Sequence, residues 1–333
     1  MTGTSDAGPA EIVFDRAHKT YPSAPNPALN ELSLTVPAGE ICVLVGPSGG
    51  GKTTALTLAN RMTELTSGDI RIGGRSILAM SPIELRRGIG YVIQQTGLFP
   101  HMSVGANIGL VPRVLGWDSK RIRERARELL ELVGLTPAAD IAARYPAQLS
   151  GGQQQRVGIA RALAVDPPVM LMDEPFGALD PITRNLLQDE FLRLHRQIRK
   201  TTLFVTHDVD EAIKMGDRIA ILREGGVLAQ YDTPEAILTE PADEFVERFI
   251  GGDRCLKRLA LRTLNDLPPE PVLGEPPGDW PRLAPSASLR EGLSVLLAAG
   301  ADGLVLTEGD TPRGMVTLAA LRRAGAVQAG APA

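Results

Sequence analysis

The stretch Gly46-Pro47-Ser48-Gly49-Gly50-Gly51-Lys52-Thr53 constrains this chain more than any other. It satisfies the pattern GxxxxGK[ST] at every fixed position. Glycines in such a loop let backbone N–H groups turn inward and cradle phosphate oxygens that side chains would block. A lysine placed as Lys52 is reaches the β- and γ-phosphates of a nucleotide. A hydroxyl placed as that of Thr53 can ligate Mg²⁺. Ile41-Cys42-Val43-Leu44-Val45 precedes the loop and reads as a strand buried in a parallel sheet. A helical pattern from Thr54 to Met62 follows, with its positive N-terminus toward the phosphates. A glycine-rich turn with a chance lysine does not bring strand, loop and helix in that order. The fold class that follows is α/β around a phosphate-binding loop.

Composition narrows the remaining choices. The 333 residues are enough for about two domains. Apolar residues make up 43% and charged ones 22%, the balance of a soluble globular chain. A formal net charge of −4 argues against nucleic acid as partner, which calls for a basic excess. No apolar run approaches the ~20 residues that cross a bilayer, and the N-terminus has no signal-peptide pattern. Cys42 and Cys255 make no disulfide framework, and Cys42 reads as a small core residue. The chain is expected to be cytoplasmic, with any membrane role reached through a partner.

Met1 to Ala10 is small, polar and expected to be disordered. Alternating residues predict strands over Glu11–Arg16 and Leu32–Val36. Tyr21 lies between them, either a surface aromatic or a flat face for an adenine ring. Strands are predicted at Ile70–Ile72 and Ile89–Ile93, the latter running into Gln94 and Gln95. Gln94 is either an exposed loop residue or a group within reach of Mg²⁺ and the attacking water. Ser119 to Val133 is a helix, with Ile122, Ala126, Leu129, Leu130 and Val133 on one face and Gly134 after its end. Leu149-Ser150-Gly151-Gly152-Gln153 opens another helix with Ser150 as N-cap. Its bare N–H groups offer a second anion site, unless this is an ordinary glycine turn.

Val169-Met170-Leu171-Met172 runs into Asp173 and Glu174. An apolar strand ending in a carboxylate is how phosphate-loop enzymes hold Mg²⁺, here with Asp173. Glu174 would point the other way and could accept a proton from water. The alternative is plain surface charge. Asp180-Pro181 reads as N-cap and first turn of a helix. His207 ends a strand over Thr202–Thr206, whereas His18, His101 and His195 read as surface residues. A hairpin, Arg218–Leu222 with Val227–Tyr231, turns at Gly225-Gly226. Thr233-Pro234 starts a helix, and another is predicted over Pro241–Ile250. Leu267 to Pro285 is proline-rich and reads as a linker. Beyond it a helix is predicted over Ser288–Ala299, strands over Gly303–Thr307 and Met315–Thr317 with a turn at Gly309-Asp310, and a helix over Leu318–Ala324. The tail from Gly325 is expected to be loose.

In order, Tyr21, GPSGGGKT, Gln94, LSGGQ, MDEP, Ala178-Leu179-Asp180 and His207 resemble the ATP-binding cassette (ABC) ATPase subunits of transporters. The resemblance covers about residues 11–250. It implies a RecA-like phosphate-loop core with an antiparallel β subdomain and a helical subdomain. It also implies a homodimer that sandwiches two ATP molecules, each between the phosphate loop of one copy and LSGGQ of the other. On this resemblance Tyr21 stacks on adenine, the loop Gly46 to Thr54 holds the phosphates, and Thr53, Gln94 and Asp173 serve Mg²⁺. Glu174 is the general base, Gln94 senses the γ-phosphate and couples to the membrane subunit, and His207 contacts the γ-phosphate. Ser150, Gly151, Gly152 and Gln153 clamp the other copy's ATP, and Asp180 crosses the dimer.

Longer strings sharpen the resemblance. Asn60-Arg61-Met62, LRRGIGYVIQQTGLFPHMSV, NIGLVP, GDRIAIL, YDTPEAIL and PADEFVERFIG look like the ATPases of importers for glycine betaine, choline, carnitine or proline. Amino-acid, polyamine and sugar importers fit these strings less well. This implies integral membrane permease subunits, an extracytoplasmic substrate-binding protein, and a peripheral position on the cytoplasmic face of the membrane. Residues 286–326, with Gly314-Met315-Val316-Thr317-Leu318, resemble a single CBS repeat, a small α+β unit for regulation or dimerisation. Relatives carry two in tandem. The expected division is an ATPase domain over 11–252, a linker over 253–285 and this unit. A DNA-repair ABC ATPase would need a long coiled coil, and a translation-associated one two cassettes and a basic linker. An exporter cassette is usually fused to membrane helices.

Overall fold

The computed structural model describes residues 8–22, 25–94, 97–268, 280–309 and 311–325. The expected disorder of residues 1–7, the proline-rich stretch 269–279, Asp310 and the tail from residue 326 lie outside them. The chain forms two compact units, residues 1–232 and 233–333.

The strands of the first unit are β1 (Ile12–Lys19), β2 (Leu29–Val36), β3 (Ile41–Val45), β4 (Ser67–Ile72), β5 (Arg75–Ser76), β6 (Ile89–Val92), β7 (Val169–Asp173), β8 (Thr201–Val205), β9 (Arg218–Arg223) and β10 (Val227–Asp232). They make two sheets. One is antiparallel in the order β2-β1-β4-β5; the other runs β10-β9-β3-β8-β7-β6. In the second, β9, β3, β8, β7 and β6 are parallel and β10 is an antiparallel edge. Every residue of β3 and β8 is buried, as is all of β7 except Asp173. That double-sided burial is why these strands read as unbroken apolar runs.

The helices of this unit are α1 (Lys52–Ala59), α2 (Pro82–Arg87), α3 (Val104–Ile108), α4 (Leu110–Val114), α5 (Ser119–Leu132), α6 (Ala138–Ala143), α7 (Gly151–Ala162), α8 (Pro181–Ile198) and α9 (Val209–Met215). Helix α5 buries Ile122, Ala126, Leu129 and Leu130, the face its spacing predicts. The side chain of Asp118 caps it, and Gly134 follows at φ 70°. Among the described residues no helix is long and apolar enough to cross a membrane.

The second unit contains α10 (Pro234–Thr239), α11 (Glu244–Ile250), α12 (Arg254–Ala260), β11 (Arg282–Leu283), α13 (Leu289–Ala299), β12 (Gly303–Glu308), β13 (Thr311–Thr317) and α14 (Leu318–Gly325). Its last four elements follow the expected order helix, strand, strand, helix, and β11 precedes them within the stretch read as a linker. Two expectations from sequence need correction. The divide falls after Asp232, not at 252, because α10 packs on α12, Arg258 pairs with Glu235 and Lys257 donates to the Ile250 carbonyl at 2.8 Å. The stretch from 253 is not a linker throughout: Leu259, Leu264 and Leu267 join Leu289, Leu296, Leu304, Leu306, Val316 and Leu321 in one core. A consequence concerns α13. Leu289 and Leu296 are used inside this core, so of its apolar stripe Leu297 stands out, 68% exposed.

Candidate functional site

Parallel pairing sets the C-terminal ends of β3, β7 and β8 side by side. Val205 lies opposite both Leu44 and Asp173. Whatever follows these strands therefore meets at one edge of the sheet, the position where open α/β sheets bind ligands. From β3 the chain turns through the glycine loop into α1. A Cβ on Gly46 would lie 2.3 Å from the Leu222 carbonyl oxygen, and one on Gly51 2.3 Å from that of Ala28. Gly51 also has φ 79°, which a side chain resists. Lys52 folds over the loop and donates to the carbonyls of Gly46 at 2.7 Å and Pro47 at 2.9 Å. Burial lowers the pKa of its ammonium, and the charges of Glu174 and Asp173 oppose that shift.

Asp173 ends β7 and accepts a hydrogen bond from the Thr53 hydroxyl at 3.4 Å. Burial raises the pKa of its carboxyl, and the neighbouring Glu174 raises it further. Glu174 itself has φ 42°, the left-handed region that costs a side-chain-bearing residue of order 1–3 kcal/mol. Its N–H donates to the Val205 carbonyl at 2.9 Å. Gln94 Nε2 donates to Glu174 Oε2 at 3.0 Å, and His207 Nδ1 lies 3.1 Å from Oε1. One carboxylate is thus held from both sides by residues that follow two other strands, β6 and β8.

Lys52, Thr53, Glu174 and His207 line a cavity of ≈ 400 Å³ together with Ser48, Gly49, Gly50, Gly51 and Thr54. The first-turn N–H groups of α1 have no carbonyl partner within the helix and face anions well. The Thr53 and Asp173 oxygens suit a hard divalent cation such as Mg²⁺, whose remaining ligands are usually waters and substrate phosphates. The residues present therefore fit a phosphorylated ligand with Mg²⁺.

A second cavity, of ≈ 280 Å³, shares no residue with the first. It is lined by Ser150, Gly152, Gln153, Arg156 and Thr183 among others. Ser150 caps α7 in a reciprocal box: its hydroxyl accepts from Gln153 N–H at 3.3 Å, and its own N–H donates to Gln153 Oε1 at 3.0 Å. Gly151 forms the first turn of that helix. Asp180 caps α8 by accepting from Thr183 N–H at 3.0 Å, and its hydrogen bonds with Thr183 hold its carboxyl below the usual range.

Tyr21 does not line either cavity. It is exposed, with the Lys19 ammonium 5.0 Å from its ring centre. His195, expected at the surface, is buried on α8, where it bonds the Lys200 carbonyl oxygen at 2.7 Å. Two buried polar residues, Gln188 and Glu211, escaped sequence reasoning. The available signal was a glutamine beside Leu187 and Phe191 on the apolar face of α8.

Residues 29–177 match the family described as ABC transporter. The osmoprotectant import ATP-binding protein OsmV of Salmonella typhimurium is 53% identical over 243 residues, 73% of this chain and 63% of that protein. The chain thus spans somewhat less than two thirds of that relative. The glycine betaine uptake system ATP-binding protein YehX of Escherichia coli is 46% identical over 278 residues, 83% of this chain and 88% of that protein. Among solved structures, the ATP-binding cassette MJ0796, a dimer in a post-hydrolysis state bound to ADP and Pi, superposes with a TM-score of 0.59. It is 34% identical and covers 67% of this chain and 98% of that one. With the glycine loop, the Asp173–Glu174 strand end and the capped LSGGQ helix in place, these similarities make the chain a member of the ATP-binding family of ABC transporters.

Proposed function

We propose that this chain is the ATP-hydrolysing subunit of an ABC importer for a quaternary-ammonium osmoprotectant: glycine betaine, choline, carnitine, or the related solute proline. The observation that carries the enzymatic part is the clasp of Glu174 between Gln94 and His207, beside the Lys52 cavity. The osmoprotectant and glycine betaine uptake for which OsmV and YehX are named support the substrate class.

In this reading the loop from Gly46 to Thr54 cradles the phosphates of ATP, and Lys52 neutralises the β- and γ-phosphates. Thr53, Asp173 and Gln94 would hold Mg²⁺, which would offset charge on the phosphate oxygens. Glu174 takes a proton from the attacking water as the water oxygen bonds to the γ-phosphorus. The bond to the β–γ bridging oxygen breaks and ADP leaves. Gln94 and His207 keep the carboxylate aimed, which matters because proton acceptance depends on placement within hydrogen-bond reach. Tyr21 stacks on adenine. Two copies pair so that Ser150, Gly151, Gly152 and Gln153 of one clamp the ATP of the other, with Asp180 crossing between them. Having two separate anion sites on one chain supports that arrangement.

The partners in this reading are integral permease subunits and an extracytoplasmic substrate-binding protein, with the dimer peripheral on the cytoplasmic face of the membrane. The C-terminal unit is a single CBS-like regulatory module, supported by its strand-helix-strand-strand-helix order. The test is reconstitution of the full complex in proteoliposomes, with uptake of betaine, choline, carnitine and proline measured separately. ATP-driven uptake of at least one, lost with Glu174→Gln, is expected. Uptake of an amino acid other than proline, or of a polyamine, with none of these four would overturn the substrate class.

A further inference from the structure

We propose that Glu211 and Gln188 form a buried tie between α9 and α8 that positions His207 against Glu174. The proposal rests on the hydrolytic reading above. His207 sits on a turn after β8, and its side chain is 67% exposed, so packing does not place it. Its two neighbours in sequence do. Thr206 is buried, with its hydroxyl near enough to the Glu211 carboxyl to favour its charged form. Asp208 N–H donates to Thr206 Oγ1 at 3.0 Å. Asp208 Oδ1 in turn accepts from the N–H groups of Asp210 at 2.9 Å and Glu211 at 3.2 Å.

Both neighbours are then anchored to α8. Gln188, 2% exposed, donates from Nε2 to Glu211 Oε1 at 2.9 Å, and Glu211 is 7% exposed. Arg184, one turn earlier on α8, lies 3.7 Å from Asp208 Oδ2 and donates to the Leu179 carbonyl at 3.2 Å. The turn that presents His207 is therefore held on both sides by the helix whose N-cap is Asp180. A leucine at 211 would fill comparable space without burying a carboxyl, and buried polar groups cost stability unless fully bonded. What the carboxyl adds is a directed bond to α8, on a residue whose own N–H bonds Asp208, next to His207. Displacing a catalytic group by about 1 Å can cost of order 10²-fold in rate. Glu211 is thus a positioning residue that acts through His207.

The experiment measures steady-state ATP hydrolysis by the purified full-length chain. Glu211→Leu should lower kcat by about 10–100-fold, with KM for ATP within about 3-fold. Glu211→Gln should stay within about 3-fold of the wild type, because it keeps the shape of the glutamate and can still bond a rotated Gln188. Combining Glu211→Leu with His207→Ala should be no slower than His207→Ala alone, since residues acting as one unit are not additive. If Glu211→Leu does not fold, the exchange of Gln188→Glu with Glu211→Gln serves. It should restore the rate that Gln188→Glu loses by setting two buried carboxyls together. A normal kcat in Glu211→Leu, an additive loss with His207→Ala, or an exchange that restores nothing would each overturn the tie. Failure of the hydrolytic reading looks different: Glu174→Gln and His207→Ala would then themselves hydrolyse ATP at the wild-type rate.

Discussion

Glu174 occupies a backbone conformation that its side chain resists, and the surrounding bonds hold it there. Glu174→Gln keeps the shape and loses the proton acceptor. Hydrolysis should fall by about 10²–10⁴-fold while ATP still binds, so that the closed dimer accumulates. Phosphate release and ATP-dependent gel filtration check this, and an unchanged rate would remove Glu174 as the base. His195 gives a pH prediction. Burial lowers its pKa, and its bond to the Lys200 carbonyl and the charge of Asp217 only partly offset that. An unfolded histidine titrates near ~6.5. Below that pH the unfolded chain takes up a proton that the native chain refuses. Stability is therefore complete above about 6.5 and declines as pH falls toward the depressed native value. His195→Gln keeps a donor for Lys200 and does not titrate, so its urea midpoint should fall less between pH 7.5 and 5.5. Equal falls in both proteins would contradict this. The place of Glu174 at a strand end was legible from the acid pair after an apolar run, but its clasp was not. Gln94 stands 80 residues away, and only strand pairing brings it to 3.0 Å.

Helix starts were the most legible elements, because they depend on local bonds between a few neighbouring residues. The Ser150 and Asp180 caps stand where the sequence places them. Strand β2 was read three residues short because Glu31, at φ 49°, interrupts its alternation, and the register against β1 shifts between Ala17 and Lys19. A bulge of this kind puts Leu29 and Leu32 out of phase, which a period of two does not anticipate. At this scale the shared site is testable. Ser150→Arg removes a cap worth about 1 kcal/mol and fills the second cavity, so the protein should fold, bind ATP and not hydrolyse it. Lys52→Ala should be inactive through the other cavity. Mixed, the two should regain activity, because each heterodimer has one intact phosphate loop facing one intact LSGGQ. If heterodimers form and no activity returns, the second cavity does not act across a dimer.

The molecule as a whole divides after Asp232. A chain ending at Gly252 would keep α10 and α11 but lose α12, with its pairing to Glu235 and its bond to the Ile250 carbonyl. Residues 233–252 should then be cut early in limited proteolysis, whereas a chain ending at Asp232 should melt in one transition. Resistance of 233–252 equal to that of the first unit would show the divide to be misplaced. By itself the sequence determined the α/β class, the phosphate loop, the strand-end acids and the capped helices. Each of these is written in residues adjacent in the chain, where backbone geometry and local bonds decide. Only the tertiary structure decided which strand ends become neighbours, and hence the Gln94–Glu174–His207 clasp. It alone also buried His195, Gln188 and Glu211 and drew α12 and the leucines of α13 into the C-terminal core. Those outcomes depend on which distant surfaces exclude water together, and no period along the chain encodes that pairing.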